Sequence, residues 1–175
     1  MDSKKIDKAK KYSAEKHKEQ KRKFSGKPYF THPSNVASMV AKYTKDEEII
    51  MAAYLHDTIE DTATTYKEIF KEFGKKVAEL VGELTSDKSK YSKSTKSLYL
   101  LKKMNNMSDE ALLIKLCDRL DNISGYPDEP NNFVKLYMKQ TKYILSNLKR
   151  NLNSNHKELI LKIQEILEEI QHKFN

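Results

Sequence analysis

The amino-acid sequence predicts an all-α fold. Only four glycines and four prolines occur in 175 residues, which is too few for the many tight turns of a β-sandwich. Apolar residues recur at helical spacing in most of the chain, and no segment reads clearly as a strand. A chain of this length is expected to form one domain over residues 1–175 with a substantial hydrophobic core. We therefore expect a bundle of helices joined by polar loops.

The N-terminal part of the chain predicts three helices. A moderately amphipathic segment covers residues 1–23, and a loop with glycine and proline at residues 24–28 interrupts it. Thr31 is expected to cap a second helix that begins near Pro33, since proline is favoured in the first turn. Asp46 opens a third, central helix that carries a strongly apolar face.

The middle of the chain predicts a pair of helices, a loop and a short helix. Thr65 and Glu68 have the spacing of a capping box, and Gly74 divides the apolar run that follows into two helices. Residues 85–96 are rich in Ser, Thr, Asp and Lys without apolar periodicity, which predicts a mobile loop. A short helix is expected at residues 98–104.

The C-terminal part predicts three longer helices. Ser108 or Asp109 caps the first of them, and residues 125–130 form the loop that follows it. Two amphipathic helices are then expected over residues 133–152 and 156–174.

Charge and composition narrow the classes of function. The net charge of +8 and the pI of about 9.3 favour polyanionic partners, such as phosphorylated metabolites, nucleic acid or an acidic membrane surface. Lysines spread along the whole chain are equally typical of simple solubility, and no basic stripe with interleaved aromatic residues indicates nucleic-acid binding. The single cysteine, Cys117, excludes an internal disulfide and is expected to be a core residue in a reducing compartment. Because the sequence contains neither a signal peptide nor a membrane-length apolar stretch, a cytoplasmic protein without a membrane partner is expected.

One stretch of the central helix concentrates groups that bind metal ions or transfer protons. His56, Asp57, Glu60 and Asp61 fall within six residues. In a continuous helix, these side chains would share one arc of roughly 140°. For this stretch alone two interpretations stay open: a divalent-cation site with acid/base groups, or a helix that ends in a solvated acidic turn.

His32 and Asp118 extend this pattern to two other helices. Two imidazoles and two carboxylates suit Mn²⁺, Fe²⁺ or Zn²⁺ better than Ca²⁺, which prefers oxygen ligands alone. Taken singly, His32 could instead be a capping or packing residue, and Asp118 could form a salt bridge with Arg119 or Lys115. Asn122 lies one helical turn after Asp118, so both side chains can face the same pocket. Three further histidines lie among charged residues and are expected to face solvent: His17, His156 and His172.

Three segments resemble motifs of the RelA/SpoT-type hydrolases, a branch of the HD superfamily of metal-dependent phosphohydrolases. These segments are SGKPYFTHP at residues 25–33, AYLHDTIEDT at residues 53–62 and KLCDRLDN at residues 115–122. They occur in the family's order, and the resemblance covers about residues 17–123, with a weaker match beyond. The resemblance implies an HD-domain helical bundle. Since no synthetase domain follows, it also implies a small stand-alone alarmone hydrolase similar to the single-domain type of animals.

The resemblance also implies a reaction and a role for each site residue. The substrate would be (p)ppGpp, a small-molecule nucleotide whose 3′-pyrophosphate is removed to leave GDP or GTP. Glu60 and Asp61 would position and deprotonate the attacking water. Asn122 would contact the ribose, and Arg22 and Lys23 would bracket the base. One Mn²⁺ ion, with Fe²⁺ or Zn²⁺ less favoured, would be bound by four ligands: His32, His56, Asp57 and Asp118.

The sequence departs from the family pattern at three positions. Phe24 is inserted after the basic pair, Lys27 replaces a residue that is usually acidic, and Asp121 stands where histidine or tyrosine is common. Because no metal ligand or acid/base residue is lost, these departures are expected to affect substrate choice more than catalysis. Two alternative functions stay open, namely removal of the 2′-phosphate of NADPH at the same site and a non-catalytic HD-type nucleotide-binding module. The sequence does not indicate an oligomeric state.

Overall fold

The computed structural model describes residues 3–126 and 132–173. Within these residues the chain forms ten α-helices and one short 3₁₀ helix, and no strand is present, which confirms the predicted all-α class. Most of the loop expected at residues 125–130 lies outside the described residues. The α-helices are α1 (Ser3–Lys16), α2 (Thr31–Tyr43), α3 (Glu47–Leu55), α4 (Thr58–Asp61), α5 (Tyr66–Phe73), α6 (Lys75–Leu84), α7 (Lys96–Asn106), α8 (Asp109–Ser124), α9 (Asn132–Ser146) and α10 (Ser154–His172), and the 3₁₀ helix is Lys88–Lys90.

Three of the predicted helix starts are confirmed by side-chain caps. The side chain of Asp46 caps α3, that of Ser108 caps α8, and Thr65 forms a complete capping box with Glu68 at the start of α5. The prediction for Thr31 is wrong, because this residue lies inside α2. Its hydroxyl donates a hydrogen bond to the carbonyl oxygen of Pro28 at 2.9 Å, so it cannot cap the helix.

Helix α1 is shorter than the sequence suggested, since it ends at Lys16 and not near residue 23. The chain turns at His17, whose ring packs against Tyr29 with centroids 4.9 Å apart and whose Nδ1 lies 2.7 Å from Oε1 of Gln20. Residues 17–30 therefore form a compact turn segment. At its tip Gly26 has a φ of 66°, a conformation that favours glycine.

The helix that carries the central motif is interrupted. Helix α3 ends at Leu55, a turn contains His56 and Asp57, and α4 begins at Thr58. Side chains take up the last carbonyl groups of α3, because Nδ1 of His56 donates to Ala53 at 2.8 Å and the hydroxyl of Thr58 donates to Leu55 at 2.6 Å. The single continuous helix assumed from the sequence is therefore wrong at this point.

Three helices form the centre of the bundle. Helices α2, α3 and α8 pack against one another, α1 and α6 pack on α3, and α10 packs on α8. Their shared core is built from fully buried aliphatic side chains such as Leu55, Leu112 and Leu116. This packing brings the start of α2, the end of α3 and the second half of α8 together. Within the described residues, no helix combines the length and the apolar character needed to cross a membrane.

The surroundings of two histidines differ from the prediction. His17 and His156 are buried, with 1% of each residue exposed, although charged residues flank both in sequence. His156 donates from Nε2 to the carbonyl oxygen of Asp109 at 2.9 Å, which ties α10 to the start of α8. His172 is exposed and Cys117 is buried, as predicted. Burial raises the pKa of the Cys117 thiol to about 12, so a nucleophilic role is excluded.

Candidate metal centre

The central feature of the site is a cluster of two histidines and two aspartates. His32 lies in the first turn of α2, His56 and Asp57 follow α3, and Asp118 lies in α8. His32, His56 and Asp118 are 2%, 1% and 4% exposed, and each offers a ligand atom within 4.8 Å of the other two. The structure therefore brings together residues that are up to 86 positions apart in the chain.

The distances within the cluster include Asp57 as well. Its Oδ2 lies 3.1 Å from Nε2 of His56 and 3.5 Å from Nε2 of His32. Oδ1 of Asp118 lies 3.2 Å from Nε2 of His32 and 3.9 Å from Nε2 of His56. Both imidazoles thus direct the same ring nitrogen toward both carboxylates.

The hydrogen bonds of the two rings account for this orientation. Nδ1 of His56 donates to the carbonyl oxygen of Ala53, and Nδ1 of His32 donates to Oδ2 of Asp121 at 2.7 Å. Nε2 of His56 is buried and has no hydrogen-bond partner among the described residues. A buried nitrogen without a partner beside two carboxylates is costly in itself, but it suits a metal ion. The residues present therefore fit a divalent cation.

Charged neighbours keep the two carboxylates ionised. Burial raises the pKa of Asp57, but the charges of the neighbouring His56 and His32 rings outweigh the effect of burial and hold this pKa well below its usual range. Burial also raises the pKa of Asp118, and the ammonium group of Lys115, 2.7 Å from Oδ2, does most to reverse the effect. Both aspartates are therefore ready to bind a cation without first losing a proton.

Glu60 and Asp61, the predicted acid/base pair, follow the turn that carries Asp57. Oε2 of Glu60 accepts a hydrogen bond from the backbone N–H of Ser86 at 2.8 Å, and Oδ1 of Asp61 lies 3.1 Å from Nζ of Lys88. Glu60 and Asp61 thereby connect α4 to the segment before α7, which the sequence predicted as a loop.

A cleft of about 720 Å³ adjoins the cluster. His32 and Asp61 lie in its wall together with all three residues predicted to contact the substrate, namely Arg22, Lys23 and Asn122. Five aromatic side chains that the sequence interpretation did not assign to the site also line the cleft: Phe24, Tyr29, Tyr126, Phe133 and Tyr137. A volume of this size is typical of pockets for small molecules.

Two of the predicted substrate contacts have protein partners in the structure. Nη1 of Arg22 lies 2.5 Å from Oδ2 of Asp121. The side-chain amide of Asn122 donates to Oδ1 of Asp118 at 2.7 Å, so it helps to orient one carboxylate of the cluster. Lys23, in contrast, lies with its Nζ 3.7 Å from the ring centroid of Phe133, in a cation–π contact at the cleft.

Sequence reasoning missed two residues that hold the cluster. The hydroxyl of Tyr29 donates to Oδ2 of Asp57 at 2.7 Å. Asp121, whose departure from the family pattern was expected to affect substrate choice more than catalysis, contacts the ring of His32 directly. Helix α2 packs beside α8 and thereby places the two side chains together across 89 positions of the chain. Tyr29 lies within the first motif and Asp121 within the third, where it departs from the family pattern, but neither motif indicated which side chain its residue would contact.

Comparisons with known proteins agree with this geometry. A family profile described as an HD domain matches residues 9–153. Guanosine-3′,5′-bis(diphosphate) 3′-pyrophosphohydrolase MESH1 of Drosophila melanogaster is 37% identical over 166 residues, which cover 89% of this chain and 88% of that protein. A guanosine-3′,5′-bis(diphosphate) 3′-pyrophosphohydrolase from Aquifex aeolicus is 47% identical over 120 residues, or 67% of this chain, but this chain spans only 17% of that longer protein.

A solved structure supports the same relationship. It is described as a metazoan orthologue of SpoT that hydrolyses ppGpp and plays a role in starvation responses. It superposes with a TM-score of 0.82 at 34% identity and covers 94% of both chains. The matching profile, the related sequences and this shared architecture place the chain in the HD-domain family, within its RelA/SpoT branch.

Proposed function

We propose that this chain is a metal-dependent hydrolase that removes the 3′-pyrophosphate of (p)ppGpp and leaves GDP or GTP. The observation that carries the proposal is the convergence of two imidazoles and two carboxylates beside a cleft of about 720 Å³. Nε2 of each histidine lies 3.1–3.9 Å from a carboxylate oxygen of each aspartate. The names of the Drosophila and Aquifex relatives support this substrate.

The four clustered residues would hold one divalent ion, and we assign it as Mn²⁺ in preference to Fe²⁺ or Zn²⁺. The donor set combines imidazole nitrogens, which suit many transition metals, with carboxylate oxygens, which suit Mn²⁺. When bound, such an ion supplies Lewis acidity toward water and phosphoryl oxygens. The ligands would be His32, His56, Asp57 and Asp118.

Glu60 and Asp61 would handle the proton of the attacking water. In the reaction a water oxygen bonds to the phosphorus next to the ribose, and the bond between that phosphorus and the 3′ oxygen breaks. One of the two carboxylates would accept a proton from the water as the new bond forms, and the resulting carboxylic acid would donate a proton to the departing 3′ oxygen, so the proton count balances. The hydrogen bond from Ser86 and the ion pair with Lys88 fix the two carboxylates while this occurs.

The nucleotide would occupy the remainder of the cleft. Lys23 and Phe133 offer a cation and an aromatic face to a purine ring, with Arg22 beside them. Lys96 also lines the cleft, where its ammonium group can offset charge on the phosphates, and Asn122 would contact the ribose. We further propose that the protein is cytoplasmic and acts on this small-molecule nucleotide through one HD-type domain over residues 1–175.

A comparison of three nucleotides tests the proposal. Purified protein is stripped with EDTA, reloaded with Mn²⁺, Mg²⁺ or no metal, and assayed with ppGpp, pppGpp and NADPH. We expect release of pyrophosphate from ppGpp and pppGpp with Mn²⁺, and no release without metal. Orthophosphate from NADPH alone would identify a 2′-phosphatase, and binding of ppGpp without any turnover would indicate a non-catalytic module. Either of these results would reject the proposed reaction.

A further inference from the structure

We propose that Asp121 is a positioning residue that fixes the metal ligand His32 and, through the same carboxylate, the cleft residue Arg22. The inference rests on the metal site of the proposed function, but it is independent of which nucleotide is hydrolysed.

The geometry around Asp121 uses its whole carboxylate. Oδ2 accepts hydrogen bonds from Nδ1 of His32 at 2.7 Å and from Nη1 of Arg22 at 2.5 Å. Oδ1 accepts from the side-chain amide of Asn35 at 2.8 Å. These three donors come from α2 and from the turn segment before it, whereas Asp121 belongs to α8. One side chain thus joins the two walls of the site.

The carboxylate of Asp121 determines which ring nitrogen of His32 carries a proton. As an acceptor on Nδ1, it requires that nitrogen to carry a proton, which leaves Nε2 available as a ligand. Nε2 is also the atom that lies 3.2 Å from Asp118 and 3.5 Å from Asp57. An anionic acceptor also increases the basicity of the ring, and carboxylate–histidine–metal arrangements of this kind strengthen metal binding.

Burial strengthens the contacts that Asp121 makes with His32 and Arg22. The side chain of Asp121 is 9% exposed, that of His32 is 2% exposed, and that of Arg22 is 17% exposed. Hydrogen bonds to a charged group in such surroundings are stronger than those at an exposed surface. Asp121 therefore connects the metal ligand to the residue that faces the nucleotide end of the cleft.

The main experiment compares the Mn²⁺ affinity of metal-free variants by equilibrium dialysis, so that no nucleotide is involved. Asp121→Asn keeps the shape of the side chain but removes its charge, and we expect its Mn²⁺ dissociation constant to rise about 10- to 100-fold. Arg22→Gln removes the other cation that Asp121 contacts, and it should retain Mn²⁺ affinity within about threefold of wild type. Asp7→Asn is the matched control, because Asp7 is exposed on α1 and does not line the cleft.

A second measurement on the wild-type protein covers the case in which Asp121→Asn does not fold. Ring ¹⁵N shifts of the Zn²⁺-loaded protein, which is diamagnetic, should show His32 protonated at Nδ1 and metal-bound at Nε2. A folded Asp121→Asn variant with wild-type Mn²⁺ affinity, an equal loss in Arg22→Gln, or a proton on Nε2 of His32 would each overturn the inference. Loss of Mn²⁺ binding in Asp121→Asn together with inactivity of wild type on ppGpp would support the inference while rejecting the proposed reaction.

Discussion

Replacing Lys115 with methionine should lower the unfolding free energy of the metal-free protein, and the structure indicates the size of this loss. Nζ of Lys115 lies 2.7 Å from Oδ2 of Asp118, and the two side chains are only 14% and 6% exposed. The other oxygen, Oδ1, faces His32 and accepts a hydrogen bond from Asn122. Lys115 therefore neutralises the outer oxygen of this carboxylate, and methionine keeps its aliphatic length without its charge.

The size of the effect follows from the burial of the pair. Two unit charges at this separation attract each other by about 6 kcal/mol at an effective dielectric constant of 20. Removal of one partner from a buried pair typically costs about 3–5 kcal/mol, because the remaining charge stays buried. Asp118 keeps its contacts with His32 and Asn122. We therefore expect Lys115→Met to lose about 3 kcal/mol of unfolding free energy in EDTA.

Addition of metal should reverse part of this loss. In Lys115→Met, a divalent ion at the cluster would replace the positive charge that the lysine provided beside Asp118. The ion would also no longer be repelled by the ammonium group of Lys115. The stabilisation by saturating Mn²⁺ should therefore exceed that of wild type by about 1 kcal/mol, since ligand binding to the folded state adds to stability. Urea unfolding with EDTA and with Mn²⁺ measures both quantities.

An exposed ion pair provides the control for this reasoning. Lys162 and Glu158 approach to 2.6 Å, but their side chains are 48% and 52% exposed. Lys162→Met should cost less than about 1 kcal/mol, as is usual for surface pairs. If Lys115→Met in EDTA is as mild as Lys162→Met, or if Mn²⁺ stabilises it less than wild type, the assigned role of Lys115 is refuted.

Three further predictions concern the acid/base pair, the support of a ligand, and pH. Glu60→Gln should retain Mn²⁺ affinity by dialysis but lower kcat by about 10²- to 10⁴-fold, and unchanged turnover would remove Glu60 from the mechanism. Tyr29→Phe removes the hydrogen bond to Asp57 and should weaken Mn²⁺ binding about tenfold, as the loss of a bond to a charged group implies; equal affinities would show that the bond does not hold the ligand. Burial lowers the pKa of Lys103 to about 8, so the unfolded chain binds more protons between about pH 8 and the usual lysine value of 10.5, and stability should rise with pH across that window. In Lys103→Arg the side chain stays charged, so its unfolding free energy, measured by urea unfolding from pH 7.5 to 10, should lack this rise of about 2 kcal/mol. Parallel curves of unfolding free energy against pH for the wild type and the variant would contradict the lowered pKa.

The sequence was informative wherever a side chain acts within its own segment. The caps at Asp46, Thr65 and Ser108 depend on backbone groups two or three residues away, so local spacing was enough to predict them. The convergence of His32, His56, Asp57 and Asp118 was predictable for another reason. Each of its three segments carries its own motif, and resemblance to a family supplied the packing that joins them.

Features that depend on packing between distant segments could not be predicted. His156 lies among charged residues in sequence, but α10 places its ring against the carbonyl oxygen of Asp109, 47 positions away. Asp121 contacts His32 only because α2 and α8 pack together. Neither contact has a local periodicity or spacing that would reveal it, because the partner is selected by tertiary structure.

The balance of charge around the cluster explains why a divalent ion suits it. Five carboxylates lie in or beside the site: Asp57, Glu60, Asp61, Asp118 and Asp121. Three of them have a lysine or arginine within 3.1 Å, whereas Asp57 and Glu60 have no such ion pair among residues 3–126 and 132–173. Two negative charges that no lysine or arginine ion pair offsets equal in number the charge of one divalent cation.

Without the ion, part of this charge is met by a proton on His32. Burial lowers the pKa of His32, but hydrogen bonds with Asp118, Asp121 and Asp57 outweigh the effect of burial. The pKa of His32 is therefore raised well above its usual value. A metal ion must displace this proton to reach Nε2, so the affinity for Mn²⁺ should fall as the pH decreases. Proton and metal ion therefore compete for one position on the His32 ring.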